Sequence, residues 1–402
     1  MYNTCMKIGF FTDAYSVSSR HGVDVSITTH KKTLKRMGHD IYIYAPREND
    51  RKNESDDIIY FKSIRILKNP DLKYAINFWP ISQKKYRERV AELDIIHAHT
   101  PFSLGLLAKR VSERQQIPLI YTYHTFYPDY FGIYLKEKKL IPKIAKEYDT
   151  WFCNSCDAII APSQKIKNFL TDIGVSKDIH ILPTGIDLKK FSGKKNQLIR
   201  NRFKIGSDLP VLLSVGRIAR EKNPDFLLEA FSILLKKRGA VLILAGHGPY
   251  LNKLKRRIRE LRIEKSVILP GHIPYEEIHH YYRAADVFVF ASKTETQGLV
   301  ALEAMASGLP VVAVKDDAFD NMLIDQKNSF LIDSDDPKDF SAKIETVLAN
   351  QKIAESFANY SLKIVRNFSE EETTKKLEQI YRQYLDINAK VLPDKVTGGK
   401  GN

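Results

Sequence analysis

Residues 287–314, VFVFASKTETQGLVALEAMASGLPVVAV, do most to limit what this chain can fold into. Val287 to Ala291 is an unbroken apolar run of β-branched and aromatic residues, the pattern of a strand buried on both faces. A polar loop, Ser292 to Gln297, follows. From Gly298 the periodicity becomes helical, with Leu299, Leu302, Met305 and Ala306 recurring at spacings of three and four. Gly308 is placed to end that helix, and Pro310 introduces a second apolar run, Val311 to Val314. Strand, loop, helix and strand make a βαβ unit with a right-handed crossover, which requires a parallel sheet and an α/β fold. The loop then lies at the carboxyl end of a strand, where open α/β sheets bind their ligands.

Two carboxylates mark the unit, Glu295 in the loop and Glu303 on the helix. Between them the backbone N–H groups of Gly298, Leu299 and Val300 are the donors of a helix start, an end that suits a phosphate. A carboxylate on either side would accept hydrogen bonds from the hydroxyls of a sugar or a ribose. The bland alternative makes Glu295 a helix cap and Glu303 a solvated residue. Spacing alone leaves both readings open.

The wording Glu-x7-Glu followed by EAMASGLPVVA resembles the signature of retaining glycosyltransferases of family 4. That resemblance implies the GT-B fold, with two Rossmann-like domains whose parallel sheets face each other across a cleft. It places Glu303 on the nucleotide ribose, Glu295 on the hydroxyls of the donor sugar, and Gln297 among the donor contacts. The variant ETQGL is most similar to the diacylglycerol α-glucosyltransferases of bacterial membranes.

At 402 residues, with 43% hydrophobic and 28% charged residues, the chain is long enough for two globular cores. No apolar stretch approaches the roughly 20 residues of a membrane span. The start, MYNTCMKIGFF, runs straight into a strand without a signal-peptide layout, so the expected location is cytoplasmic. A net charge of +15 suggests a polyanionic partner: nucleic acid, an anionic membrane or a nucleotide. A generally Lys-rich composition is the alternative. Three cysteines are too few for a disulfide framework, and Cys153-x-x-Cys156, late in a helical stretch, reads as coincidence.

Along the first half, Lys7 to Asp13 reads as a strand with Asp13 at its end, and Gly22-Val23 leads into an amphipathic helix. Gly22 resembles the glycine of the family's loop against the donor diphosphate, although His21 stands where that pattern has Gly or Asn. Residues 62–90 interleave Lys62, Arg65, Lys68, Lys73, Lys84, Lys85, Arg87 and Arg89 with Ile66, Leu67, Tyr74, Ile76, Phe78 and Trp79. Such a mixture suits a membrane interface, and would equally suit single-stranded nucleic acid. A core-facing loop and helix with a solvated basic face is the third option. The resemblance favours docking on an anionic bilayer, with Asp13, Lys73, Tyr74, Phe78, Trp79, Lys84, Lys85, Arg87 and Arg89 on the acceptor and membrane side. Ile120 to Tyr123 is a strand that delivers His124 into YHTFYPDY, and the resemblance makes His124 an active-site residue.

Domain limits are expected at 1–190 and 196–366, with C-terminal helices near 367–388 returning to the first domain and a disordered tail at 389–402. In the second domain, Val211 to Val215 is a strand and Asn223-Pro224 opens a helix. Arg217 and Lys222 resemble the family's pair of cations on the donor diphosphate. Two such cations suit a metal-free transferase that must stabilise a nucleoside diphosphate leaving group. Gly271 follows a strand that resembles the family's nucleobase side. Asp333-Ser334-Asp335 is formally D-x-D but reads as a cap for the helix near Asp336-Pro337.

The expectation is therefore a transferase moving glucose from UDP-glucose to diacylglycerol with retention, with no cofactor, metal or nucleic acid. Its partners would be a nucleotide sugar, a lipid acceptor and the inner face of the cell membrane, where it would be peripheral. A different acceptor, a mannosyl donor, or a nucleic-acid-binding protein are the alternatives.

Overall fold

The computed structural model describes residues 5–15, 22–47, 56–66, 69–75, 84–126, 140–333 and 335–391. They belong to two compact units, residues 1–185 with 370–402, and residues 186–369.

The first unit is built on a parallel sheet of order β3-β2-β1-β6-β7-β8-β9. Its strands are β1 (Lys7–Phe11), β2 (Asp40–Pro46), β3 (Ile58–Phe61), β6 (Ile95–Ala98), β7 (Leu119–Thr122), β8 (Ala158–Ala161) and β9 (Asp178–Ile181). β4 (Ser63–Ile66) and β5 (Asn69–Ala75) form a separate antiparallel hairpin. The second unit has the order β12-β11-β10-β13-β14-β15, again all parallel. These strands are β10 (Val211–Val215), β11 (Val241–Ala245), β12 (Val267–Gly271), β13 (Val287–Phe290), β14 (Val311–Val314) and β15 (Ser329–Ile332).

Each sheet is covered on both faces, which is why its strands read as continuous apolar runs. In β13, Val287 and Val289 join one core and Phe288 and Phe290 the other, all four buried. In β1, Ile8 and Phe10 point one way and Phe11 the other. Chain direction across the sheet reverses between β1 and β6 in the first unit and between β10 and β13 in the second. Each switch point opens a crevice at the carboxyl ends of its own sheet.

The helix Glu370–Val391 returns to the first unit and lies against the helix Gly22–Arg36. Lys32 and Arg36 meet Glu370 at 3.2 and 2.7 Å, and His30 meets Thr374 at 3.0 Å. The helix Gln351–Ile364 belongs to the second unit, where Phe357 is buried against Phe330. One boundary differs from expectation. Residues 389–391, assigned from sequence to a disordered tail, continue the last helix, which Asn388 fastens to the Gln116 carbonyl at 3.0 Å. The remainder of that tail lies outside the described residues.

Asp336, rather than the preceding acidic residues, caps the helix Pro337–Ala349 by accepting from the Lys338 N–H. Asp333 and Asp335 face Lys315 and Lys293. Cys153 and Cys156 are both buried, and burial pushes their thiols far above the usual range, as inert packing residues require.

Candidate active site

The second unit assembles its polar groups at the switch point. After β10 the chain makes close backbone contact with the turn after β11. A Cβ on Gly246 would lie 1.8 Å from the Gly216 carbonyl oxygen, so only glycine fits there. This contact fixes the start of the loop that carries Arg217 and Lys222. Lys222 ends a short 3-10 turn, Arg220–Lys222, and Asn223 then takes a left-handed conformation before Pro224 opens the helix Pro224–Leu235.

Across the switch point, from the loop after β13, comes Glu295. The Lys222 ammonium donates to Glu295 Oε1, and both side chains are largely enclosed. The Arg217 guanidinium is 3.8 Å from the Glu221 carboxylate. Sequence reasoning placed both cations on a diphosphate and Glu295 on a sugar, as separate groups. The structure instead pairs each cation with a carboxylate. Glu295 is held by its backbone: its N–H donates to Asp316 Oδ2 at 3.2 Å, while Asp316 Oδ1 accepts from Ala318 at 2.9 Å.

Gly298 follows, in the left-handed conformation with φ +81°, and caps the helix Leu299–Ala306 without any side-chain cap. Gln297 is buried beside it, and Leu299 and Val300 are partly exposed. The solvated alternative for Glu303 fails. Its side chain is buried, and Oε2 accepts from the Tyr282 hydroxyl at 2.7 Å. Burial raises its carboxyl to about 7, against the Tyr282 bond and the nearby Lys190 ammonium, which lower it. Gly271 ends the edge strand β12 with φ +81°, and its carbonyl accepts from the Gly246 N–H at 2.9 Å.

In the first unit Asp13 reaches from the end of β1 across the other switch point, but it is turned inward. The Thr100 and Ser103 hydroxyls and the Leu104 N–H all donate to its carboxylate. It therefore holds the start of the helix Ser103–Gln115, which has no cap of its own. This corrects its assignment to the acceptor side: both oxygens are taken up by the fold, and burial raises the group to about 6.

His124 stands just past β7, with its Nε2 3.0 Å from His99 Nδ1. Those two rings are nearly coplanar, edge to edge, with centroids 5.3 Å apart, and His97 stacks on His99 with ring centroids 4.1 Å apart. His97 is tied to the Tyr381 hydroxyl at 2.6 Å and to Thr122 at 2.7 Å. Burial holds His97 and His99 well below their usual pKa and lowers His124 to about 3. Burial thus favours the neutral form of all three rings. Sequence reasoning missed His97 and His99. The signal was a His-x-His at the end of a strand, whose period of two puts both rings on one face.

Gly22 begins the helix Gly22–Arg36 and is exposed. In the basic segment, Lys73 and Tyr74 lie in β5, in register with Arg65 and Ile64. Lys84 and Lys85 begin the helix Lys84–Ala91, and Arg87 on it is exposed. Arg89, on the same helix, keeps its side chain 37% exposed, while its guanidinium lies over the Tyr42 ring at 4.7 Å and donates to the Tyr42 hydroxyl at 3.0 Å. It is tied to the fold because it sits one turn from Tyr86, on the side of the helix facing β2. Phe78 and Trp79 lie outside the described residues. Among the described residues no group of three His, Cys, Asp or Glu side chains is arranged to hold a metal ion, and no helix is long and apolar enough to cross a membrane.

Two family models match, Glycosyltransferase Family 4 over residues 20–190 and Glycosyl transferases group 1 over residues 195–364. The alpha-monoglucosyldiacylglycerol synthase of Acholeplasma laidlawii is 30% identical over 97% of this chain and 100% of its own length. The chain belongs to glycosyltransferase family 4. The protein of the same name from Streptococcus pneumoniae is 38% identical over 80% of this family 4 chain and 74% of its own length. Among solved structures, Anabaena HepE in complex with UDP superposes with a TM-score of 0.74 at 17% identity, covering 94% of this chain and 100% of the other. The fold is GT-B, and the protein is a hexosyltransferase.

Proposed function

We propose that this family 4 enzyme transfers glucose from UDP-glucose to the 3-hydroxyl of 1,2-diacylglycerol, with retention, at the cytoplasmic surface of the membrane. The observation that carries the donor half is the Lys222–Glu295 pair at the switch point, which joins the loop carrying Arg217 to the loop that leads into the uncapped start of the helix Leu299–Ala306. A diphosphate placed there replaces Glu295 as the partner of Lys222 and lies against the positive end of the helix. Glu303 accepts from the ribose hydroxyls. Glu295, released from Lys222, accepts from hydroxyls of the glucose, and neutral His124 orients the sugar. As the sugar–oxygen bond breaks, negative charge grows on the departing diphosphate, which is where the two cations and the helix start are aimed. The acceptor hydroxyl attacks from the same face, and its proton passes to the leaving diphosphate.

The lipid half is supported by the two relatives named above, both alpha-monoglucosyldiacylglycerol synthases by name. Lys84, Lys85 and Arg87, together with the hairpin β4–β5, form the basic element that meets an anionic bilayer. The test is mass spectrometry of products from a pool of UDP- and GDP-sugars with diacylglycerol vesicles. One added hexose on diacylglycerol, drawn from UDP-glucose, is the expected result. Transfer only to a soluble sugar or an inositol lipid, or from another donor, contradicts it.

A further inference from the structure

Glu303 is given its working geometry by a residue on a different element. Tyr282 lies on the helix Tyr275–Ala284, fully buried, with its ring edge-on to Phe191 at 5.6 Å and tilted against Phe288 at 5.8 Å. Its hydroxyl lies 2.7 Å from Glu303 Oε2 and 3.2 Å from the Val300 carbonyl. Val300 and Glu303 are neighbours on one face of the next helix, so one hydroxyl spans its first turn. Among the described residues Glu303 Oε2 receives this bond, and Oε1 is left for another donor.

We infer that Tyr282 is the positioning residue of the donor site, holding one carboxylate oxygen of Glu303 so that the other meets the ribose of the nucleotide. The inference rests on the donor reading proposed above. A hydroxyl with two neighbours can do this in either protonation state. While Glu303 is ionised, Tyr282 donates to it. Once Glu303 carries a proton, that proton is donated to the Tyr282 oxygen and the tyrosine hydrogen turns to the Val300 carbonyl. The carboxyl keeps its place, but only the ionised form offers Oε1 as a charged acceptor. The charged or titratable groups acting on Glu303 are Tyr282 itself and Lys190, whose ammonium is 3.4 Å from the centre of the Tyr275 ring.

The experiment is donor kinetics against pH for the wild type and for Tyr282→Phe, Glu303→Ala and the double variant. Phenylalanine keeps the ring packing and removes only the hydroxyl. Tyr282→Phe is expected to raise the donor KM about tenfold with little change in kcat, as for loss of one hydrogen bond to a charged group. The Tyr282 bond lowers the Glu303 pKa, which stands at about 7, so removing it raises that pKa. The acid limb of log kcat/KM then moves to higher pH. In the Glu303→Ala background, Tyr282→Phe adds no further change. An unshifted limb and unchanged KM for Tyr282→Phe, beside a raised KM for Glu303→Ala, overturns the inference while the donor reading stands. An unchanged KM for Glu303→Ala overturns both. Should Tyr282→Phe not fold, 3-fluorotyrosine placed at position 282 decides the matter, because its more acidic hydroxyl is a stronger donor to the ionised carboxylate. An acid limb moved to lower pH supports the inference, and an unshifted limb overturns it.

Discussion

Replacing Gly298 with alanine should destabilise the second unit and disable the donor site together. The residue has φ +81° and ψ 54°, a conformation that costs an L-residue about 1–2 kcal/mol. The added Cβ would also sit 2.5 Å from Phe319 Cε1 and 3.1 Å from Cδ1. Phe319 cannot move aside, because it is buried among Phe290, Leu302 and Met305 in one of the unit's two cores. Overpacking of this kind costs about 1–3 kcal/mol, so the total is about 2–5 kcal/mol. The strain has a path to chemistry: Phe319 ends the 3-10 turn that Asp316 caps, and Asp316 also holds the Glu295 backbone. The assay is guanidinium denaturation followed by far-UV circular dichroism. Both tryptophans, Trp79 and Trp151, fall in the first unit's part of the chain, so their fluorescence is an internal reference. The reasoning predicts a loss of about 2–5 kcal/mol in the transition of the second unit and a raised donor KM. A loss under about 0.5 kcal/mol would refute it.

Three further outcomes follow from the same geometry. Lys222→Ala should lower kcat by at least about a hundredfold, since a leaving-group charge loses a principal partner; a fully active variant would contradict that role. Asp13→Ala should cost the first unit about 2–4 kcal/mol through the lost bonds from Thr100, Ser103 and Leu104, with a larger loss at pH 5 than at pH 7. The sign follows from the Asp13 pKa of about 6 in the fold: the folded state binds a proton that the unfolded state releases, so wild-type stability falls as pH rises from about 4 to 6. Neutralising Lys84, Lys85 and Arg87 should reduce sedimentation with anionic vesicles, whereas Arg89→Ala should cost about 1 kcal/mol of stability and leave sedimentation unchanged.

What was legible in the sequence was whatever is local. The βαβ unit at 287–314 carries its own periodicity and stop signals, and its strand and helix limits agree with the structure to within a residue. Glu303 was singled out by its likeness to the family signature, while spacing left it open to solvent; its burial was not legible, because Tyr282 comes from another helix. Lys222 and Glu295 are 73 positions apart and meet only because strand order reverses between β10 and β13. Asp13 was expected at the end of a strand and is there, but its partners, 87 to 91 positions later, come from beyond the other reversal. Nothing local to Asp13 announces that it faces inward. Arg89 shows the same gap: eight basic residues in one segment look equivalent until the Tyr42 ring of β2 claims one of them.

The most direct measurement is a crystal structure with UDP bound. The account predicts the diphosphate at the start of the helix Leu299–Ala306, within reach of Arg217 and Lys222, with Glu295 displaced from Lys222 and a ribose hydroxyl on Glu303 Oε1. A diphosphate bound away from that helix, with the Lys222–Glu295 pair intact, would contradict it.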